Sequence, residues 1–395
     1  MADLNQTPSA NRLHIGFFGA RNSGKSTLVN LLADQEVTIV SPIKGTTTDP
    51  VNKAMELPSL GPCLLIDTAG FDDEGELGLL RVEKTEKAAE KTDIAVLLFS
   101  DAETDEDIKR FRAFKAKKTP VLPLLGRVDG DPAALKARVE AELSTELICI
   151  DPFDKASREK LIKELVRLMP EGFELPSITG ALVKSGDTVL LVMPQDASAP
   201  KGRLILPQVQ TIRDLLDNRC TVIGCTPEGM ENALSALKEP PSLIITDSQA
   251  FGEVYEKKPE TSRLTSFSVL FAVLKGDMEY YIEGAKIIPQ LTEASRVLIA
   301  ECCSHAPQAE DIGRVKIPKL LKKLVGEGIR IDILGGTDFP EDLSPYALVI
   351  QCGACMFNRK YVLSRIDRAK TQRVPMTNYG IFLAYANGIL EKITL

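Results

Sequence analysis

A glycine-rich loop between an apolar run and a helical pattern constrains the fold of this 395-residue chain more than any other feature. The apolar run at residues 13–19 is typical of a buried strand, and residues 19–26 then match the pattern GxxxxGKS. In such a loop, backbone N–H groups surround phosphates, the lysine reaches the outer phosphates and the serine hydroxyl binds Mg²⁺. The residues expected to bind the nucleotide here are Gly19, Asn22, Ser23, Gly24, Lys25, Ser26 and Thr27.

A second motif follows at the end of the next strong apolar run. Residues 63–67 predict a strand that ends in Asp67, and residues 67–70 match DxxG. We expect Asp67 to hold Mg²⁺ through water and the Gly70 N–H group to sense the γ-phosphate. The hydroxyl-rich residues 41–49 lie between the two motifs and lack periodicity, which suits a loop ordered by Mg²⁺ and γ-phosphate.

These motifs together resemble the translation-factor-related GTPases, in the branch that uses GTT-x-D as its first switch. The resemblance implies a slow GTPase that K⁺ stimulates, with K⁺ at the position of an arginine finger. The catalytic residues that it implies are Lys25, Thr47, Asp67 and Gly70. The Mg²⁺ ligands that it implies are Ser26, Thr47 and Asp67, and the K⁺ ligands are Asn22, Ser41 and Thr46. Phe71 follows Gly70, so catalysis by a switch glutamine is not expected.

The residues that would recognise the guanine base differ from those of this family. Residues 126–129 read Gly-Arg-Val-Asp where the family has NKxD. Asp129 is retained, and its carboxylate can accept hydrogen bonds from guanine, but Gly126 replaces the bracing asparagine and Arg127 replaces the stacking lysine. We therefore predict GTP as the nucleotide, bound with weaker affinity or relaxed selectivity.

Strand-like and helical patterns alternate along the whole chain, which predicts the α/β fold class. We expect three domains, each a mainly parallel sheet with flanking helices. They are a P-loop GTPase domain at residues 10–170, a small α/β domain at residues 180–260 and a third α/β domain at residues 264–395. Residues 264–288 at the start of the third domain are interpreted as helices.

The net charge and the hydropathy of the chain argue against several classes of function. The formal net charge is −7, which argues against binding to nucleic acid or to an anionic membrane. No apolar run approaches the ~20 residues that span a bilayer, and the first residues lack the form of a signal peptide. We therefore expect a reducing cytoplasm, where the eight cysteines are ligands or thiols rather than disulfides.

Two apolar runs near the C-terminus each end in cysteine. Residues 296–300 lead to Cys303, and residues 346–351 lead to Cys352 and Cys355. Ligands collect at the carboxyl ends of parallel strands, so these thiols are predicted to converge. Three thiolates suit an iron–sulfur cluster, zinc or Cu(I).

Other interpretations of these three cysteines remain open. Structural zinc would require a fourth ligand, which His305 could supply, and three unrelated buried thiols are a further interpretation. Cys302 is predicted to point to the opposite side of its strand from Cys303. It is the main rival for the third ligand position.

The whole chain, and not only its first domain, resembles the [FeFe]-hydrogenase maturation GTPases of the HydF family. The stretches that carry this resemblance are residues 80–85, 199–214, 245–249, 264–268, 311–318 and 338–344. The cluster signature of the family is C-x-H, a long spacer and H-C-x-x-C. This chain has Cys303 and His305 in the first part, but Gln351 replaces the second histidine.

The HydF resemblance implies a [4Fe–4S] cluster on Cys303, Cys352 and Cys355, with His305 as a candidate fourth ligand. It further implies a homodimer through the middle domain. The protein would receive a diiron precursor as cargo from radical-SAM maturases and deliver it to apo-[FeFe]-hydrogenase. The alternative function is that of a potassium-activated GTPase of ribosome or tRNA metabolism, which would require a basic RNA-binding domain.

Overall fold

The computed structural model describes residues 7–33, 50–70, 76–170, 177–195, 204–302 and 312–394. The chain divides into two compact units, Met1–Glu174 and Leu175–Leu395. The α/β fold class predicted from the sequence is confirmed, since each unit consists of largely parallel sheets with flanking helices. Short 3₁₀ turns lie at Ser9–Asn11, Pro227–Gly229, Ser248–Ala250, Ile288–Gln290 and Leu390–Lys392, and a π-helical turn lies at Ile312–Lys316.

The first unit contains one six-stranded sheet. Its elements in chain order are β1 (Leu13–Gly19), α1 (Lys25–Ala33), β2 (Val51–Leu57), β3 (Gly61–Asp67), α2 (Glu76–Glu90), β4 (Ile94–Phe99), α3 (Thr104–Ala116), β5 (Val121–Leu125), α4 (Pro132–Leu143), β6 (Ile148–Cys149) and α5 (Lys155–Arg167). The spatial order is β2-β3-β1-β4-β5-β6, and only β2 runs antiparallel to its neighbour.

The strand β1 is central and buried on both faces, as an uninterrupted apolar sequence requires. Ile15 and Phe17 pack on one face with residues of α1 and α5, whereas Phe18 packs on the other face with residues of α3. The phosphate loop follows this strand, next to β4, where the chain changes from one side of the sheet to the other. Ligands of open α/β sheets bind at such a switch point.

The second unit contains two four-stranded parallel sheets. The elements of the first are β7 (Thr188–Val192), α6 (Leu206–Asp217), β8 (Thr221–Cys225), α7 (Met230–Ser235), β9 (Leu243–Thr246), α8 (Phe251–Lys257), β10 (Arg263–Ser266) and α9 (Phe267–Lys275). Its spatial order is β10-β9-β7-β8. Residues 264–266 are therefore a strand, and their interpretation as part of a helix was wrong.

The elements of the last sheet are α10 (Met278–Ala285), β11 (Arg296–Ala300), α11 (Ile317–Val325), β12 (Arg330–Leu334), β13 (Leu348–Gln351), α12 (Arg359–Thr371), β14 (Met376–Asn378) and α13 (Tyr379–Ala386). Its spatial order is β12-β11-β13-β14, so its switch point lies between β11 and β13. A single apolar core joins both sheets of this unit and includes Ile244, Val269, Ile299 and Phe382.

Candidate functional sites

The backbone of the phosphate loop is held in conformations that its sequence permits. Gly19 and Gly24 have φ values of 138° and 106°, and Asn22 has a φ of 59°. A Cβ atom at Gly19 would lie 2.5 Å from the Leu98 carbonyl oxygen, so glycine is required there. The loop thus turns tightly against β4, which leaves its N–H groups at the N-terminus of α1.

A serine, a lysine and a carboxylate meet at the base of this loop. Ser26 Oγ donates a hydrogen bond to Asp67 Oδ2 over 2.6 Å, while buried Asp67 Oδ1 has no hydrogen-bond partner among the described residues. Burial raises the pKa of Asp67, and the Ser26 hydroxyl and the Lys25 charge oppose that rise. Lys25 Nζ donates to the Gly19 and Ala20 carbonyl oxygens. A hydroxyl beside an unsatisfied carboxylate oxygen fits the hard oxygen ligand set of Mg²⁺.

The loop forms one end of a cleft of about 630 Å³ in the first unit. Residues that line it are Asn22, Ser23, Gly24, Lys25, Ser26, Thr27, Leu28, Leu98, Leu125, Gly126, Arg127, Ile150, Pro152 and Phe153. The structure thereby places six of the seven predicted loop residues around one space. Phe153, which the sequence analysis did not identify, is 88% exposed, and a flat ring at that position can stack on a base.

The main chain braces the base-reading loop in place of the missing asparagine. Arg127 N donates to the Ser23 carbonyl oxygen over 3.0 Å, and Gly126 N donates to the Phe99 carbonyl oxygen over 2.8 Å. A Cβ atom at Gly126 would lie 2.9 Å from the Ser23 carbonyl oxygen, so this closer contact excludes a side chain. Asp129 remains largely exposed beside Arg127, with 3.4 Å between Asp129 Oδ1 and Arg127 Nε.

Three predicted residues of the nucleotide site, Ser41, Thr46 and Thr47, lie outside the described residues. Gly70 is the last described residue of its motif and is buried. The roles assigned to these four residues stay predictions.

The last sheet brings two cysteines together at its switch point. Ala300 of β11 lies opposite Gln351 of β13, so Cys302 and Cys352 follow the carboxyl ends of neighbouring strands. Cys302 N donates to Cys352 Sγ over 3.1 Å. Cys302 therefore lies beside Cys352, as expected for a rival third ligand, and its orientation relative to Cys303 stays a prediction because Cys303 lies outside the described residues.

The thiols of buried Cys302 and half-buried Cys352 lie next to each other and affect each other's pKa. Burial raises the pKa of Cys302, and its contact with Cys352 raises it further. The hydrogen bond from Cys302 lowers the pKa of Cys352, assisted by the Ala354 backbone N–H group. Of the two cysteines, Cys352 therefore loses its thiol proton more readily. The resulting thiolate is the form that binds metals.

A buried lysine holds the loop from Cys352 to Phe357. Lys275 Nζ donates to the carbonyl oxygens of Ala354 over 3.2 Å, Cys355 over 3.5 Å and Phe357 over 2.8 Å. Its side chain is 1% exposed, and burial lowers its pKa to about 8. Nothing in the local sequence near Lys275 indicated this role, because its partners lie about 80 residues further along the chain.

A buried arginine contacts Cys302 of the thiol pair. The Arg365 guanidinium lies 4.7–4.9 Å from the ring centroids of Phe339, Phe357 and Tyr361, a distance that allows cation–π attraction. Its Nη2 donates to the Gly336 carbonyl oxygen over 2.6 Å, and its Nη1 lies 3.9 Å from Cys302 Sγ. Arg365 Nε has no hydrogen-bond partner among the described residues.

The remaining residues of the predicted cluster site are only partly described. Cys303 and His305 lie outside the described residues. Gln351, which takes the position of the family histidine, is 1% exposed, and its Oε1 has no partner in the described part of the chain. No three His, Cys, Asp or Glu side chains of the described residues meet as a metal-binding group. Two neighbouring thiol positions with flanking cations nevertheless fit an anionic thiolate-bound group.

The fold and the nucleotide cleft of the first unit define a P-loop GTPase. Residues 14–126 match the family model of the 50S ribosome-binding GTPase. The chain is 33% identical over 140 residues to the tRNA modification GTPase MnmE of Ralstonia nicotianae, which covers 33% of this chain and 29% of that protein. It is 38% identical over 99 residues to the GTPase Der of Wolinella succinogenes, covering 24% and 20%. The chain thus spans less than a third of the length of these curated relatives.

The matches of the second unit define the protein family more narrowly. Residues 178–276 match the hydrogen maturase F dimerization domain, and residues 279–394 match the hydrogen maturase F tetramerization domain. Together these matches cover more than half of the chain, which belongs to the hydrogen maturase F family, with an MnmE/Era-like GTPase domain. The two domain types indicate self-association, and the second was not foreseen from the sequence, which predicted only a dimer.

Solved structures of the GTPase Era are also similar to this chain. Era of Aquifex aeolicus bound to GDP and aluminium fluoride has a TM-score of 0.36 and 20% sequence identity, covering 54% of this chain and 92% of that one. Among the described residues, every helix is too short or too polar to cross a bilayer.

Proposed function

We propose that this protein is a GTP-hydrolysing scaffold that carries a [4Fe–4S] cluster on Cys303, Cys352 and Cys355. In this proposal it assembles and delivers the diiron subcluster of [FeFe]-hydrogenase. The observation that carries the proposal is the position of Cys352 and Cys355 at the switch point of the last sheet, beside the residue that precedes Cys303. Membership of the hydrogen maturase F family supports the same assignment.

Three thiolates leave one iron of a [4Fe–4S] cluster open to an exchangeable ligand, which suits a carrier of cargo. His305 is the proposed fourth ligand. Gln351 cannot bind iron as strongly as a histidine at that position would, because a neutral amide is a poor iron ligand. The proposed cargo is a diiron precursor from radical-SAM maturases, and the proposed recipient is apo-[FeFe]-hydrogenase. Thiol-bound clusters require a reducing environment, so we place the protein in the cytoplasm as an oligomer.

The cluster assignment is tested by replacing Cys352 with serine. We expect Cys352→Ser to retain less than about half of the iron and sulfide of the reconstituted wild-type protein and to lose its EPR signal after reduction, because a hydroxyl is a weak iron ligand. The control is Cys225→Ser, since Cys225 also ends a parallel strand, β8, in the same unit. Equal iron and sulfide in the wild-type protein and Cys352→Ser would contradict the proposal.

The same assay compares Cys302→Ser with Cys303→Ser to identify the third ligand. Loss of the cluster in Cys303→Ser alone would support the assignment made above. Loss in Cys302→Ser alone would replace Cys303 by Cys302, which the structure places next to Cys352.

We further propose that K⁺ accelerates GTP hydrolysis through Asn22, Ser41 and Thr46. At equal ionic strength, we expect the rate in K⁺ to exceed the rate in Na⁺ by at least about tenfold, since a cation at that position stabilises the charge that develops in the transition state. Asn22→Ala should remove the difference, whereas Asn52→Ala, on the exposed side of β2, should preserve it. Equal rates of phosphate release in K⁺ and Na⁺ would contradict this proposal.

A further inference from the structure

We propose that Lys275 and Arg365 are positioning residues that supply the positive charge for an anionic cluster at the switch point of the last sheet. Lys275 also fixes the loop that presents Cys352 and Cys355. This inference rests on the proposed function, because its ligand is the cluster proposed there.

Both cations are buried in the second unit. Lys275 and Arg365 are 1% and 2% exposed, respectively. A buried charge is costly unless a partner of opposite charge compensates it. Within the described part of the chain neither side chain pairs with a carboxylate, since Lys275 contacts backbone carbonyls and Arg365 contacts a carbonyl, a thiol and aromatic rings.

The two cations lie close to the cysteine group. Lys275 Nζ contacts the backbone of Ala354 and Cys355 within the CxxC loop, so its charge lies near the thiols of that loop. Arg365 Nη1 lies 3.9 Å from Cys302 Sγ. Both cations therefore contact residues that follow the ends of two neighbouring strands, β11 and β13. An anionic group bound to these thiols would supply the negative charge that the described residues do not offer to either cation.

The CxxC loop has a residue in a strained backbone conformation. Ala354 has a φ of 51°, which is unfavourable for a residue with a side chain. The ammonium of Lys275 lies beneath this turn and accepts no hydrogen bond, so its donors are available to three carbonyl groups of the loop. The lysine thus holds a strained loop in the conformation that sets the spacing of the two sulfur atoms.

The charge is tested through the reduction equilibrium of the reconstituted cluster. Reduction adds negative charge, so the loss of a nearby cation should disfavour it. We expect Lys275→Met and Arg365→Met each to lower the equilibrium constant for reduction by about tenfold, which corresponds to about 59 mV for one electron. Lys275→Arg, which keeps the charge, should restore the constant to within about threefold of the wild-type value.

Lys258→Met is the matched control. Lys258 Nζ also donates to three backbone carbonyls of a loop in the same unit, those of Pro259, Glu260 and Ser262. Its replacement should leave the reduction equilibrium unchanged. Wild-type reduction in both Lys275→Met and Arg365→Met, or an equal shift in Lys258→Met, would overturn the inference about charge.

The loop is tested in the cluster-free protein by hydrogen exchange of residues 353–357. We expect Lys275→Met to accelerate exchange there by at least about tenfold, since the loop loses about 1.4 kcal/mol or more of local stability. Lys258→Met should leave that exchange unchanged. Unchanged exchange in Lys275→Met would overturn the inference about the loop. A wild-type protein that takes up no iron and sulfide would instead contradict the proposed function, and this loop measurement would remain decisive.

Discussion

Asp67→Asn is expected to lower the rate of Mg²⁺-dependent GTP hydrolysis by about 10²- to 10³-fold, the range found when a group that stabilises transition-state charge is removed. Asp67 Oδ2 accepts the Ser26 hydroxyl, and Oδ1 is buried without a partner among the described residues. The amide of asparagine can preserve the shape of this site but carries no negative charge. It would therefore bind a water ligand of Mg²⁺ more weakly.

The measurement is phosphate release over a titration of Mg²⁺ at saturating GTP. We expect the midpoint of this titration to rise by at least about tenfold in Asp67→Asn, and GDP binding without Mg²⁺ to remain within about threefold of the wild-type value. Asp93→Asn is the control, since Asp93 accepts a hydrogen bond from His14 N in the same unit, before β4 begins. Hydrolysis by Asp67→Asn at the wild-type rate and Mg²⁺ midpoint would exclude Asp67 from the metal site.

The elements that the sequence predicted best have both a continuous apolar pattern and clear ends. The sequence patterns predict strands at residues 94–99 and 243–246 and a helix at residues 132–143, and β4, β9 and α4 have these bounds. In α4, Asp131 accepts a hydrogen bond from Ala133 N and Pro132 occupies the first turn, which are the usual signals of a helix start. Local sequence is sufficient for such elements because capping and burial agree.

The edge strands β2, β10 and β14 were not predicted, because their stability depends on neighbours that are distant in the sequence. The strand β2 alternates half-buried and exposed residues and is defined by its antiparallel pairing with β3. The strand β10 has four residues and passes directly into α9, so no turn residue separates it from the helical pattern. The strand β14 has three residues.

The residues of the candidate sites likewise fall into those that the sequence predicted and those that it did not. Contiguous motifs located the phosphate loop, Asp67 and the CxxC pair, because the chemistry of each depends on neighbouring residues. Lys275 and Arg365 were missed, since they reach the cysteine group from two helices that the sequence does not connect to it. The close main-chain contacts at Gly126 were likewise not predicted from the sequence, because they depend on how closely two loops approach each other.

Gly284→Ala is expected to destabilise the second unit by about 3 kcal/mol, at the upper end of the usual cost of overpacking. Gly284 lies in α10, where alanine would by itself favour the helix by up to about 1 kcal/mol. A Cβ atom would, however, lie 2.5 Å from the carbonyl carbon of Met376 in β14. That atom belongs to the backbone of a sheet whose core is close-packed, so neither the helix nor the strand can move freely.

Thermal unfolding monitored by hydrogen exchange in β13 and β14 would measure this effect on the second unit alone. A loss of about 3 kcal/mol should lower the midpoint by about 6–12 °C in a unit of this size. The control is Gly252→Ala in α8, where a Cβ atom would approach nothing closer than 3.4 Å, so we expect a change within about 1 kcal/mol. If Gly284→Ala were no less stable than Gly252→Ala, the tight packing of α10 on β14 would be disproved.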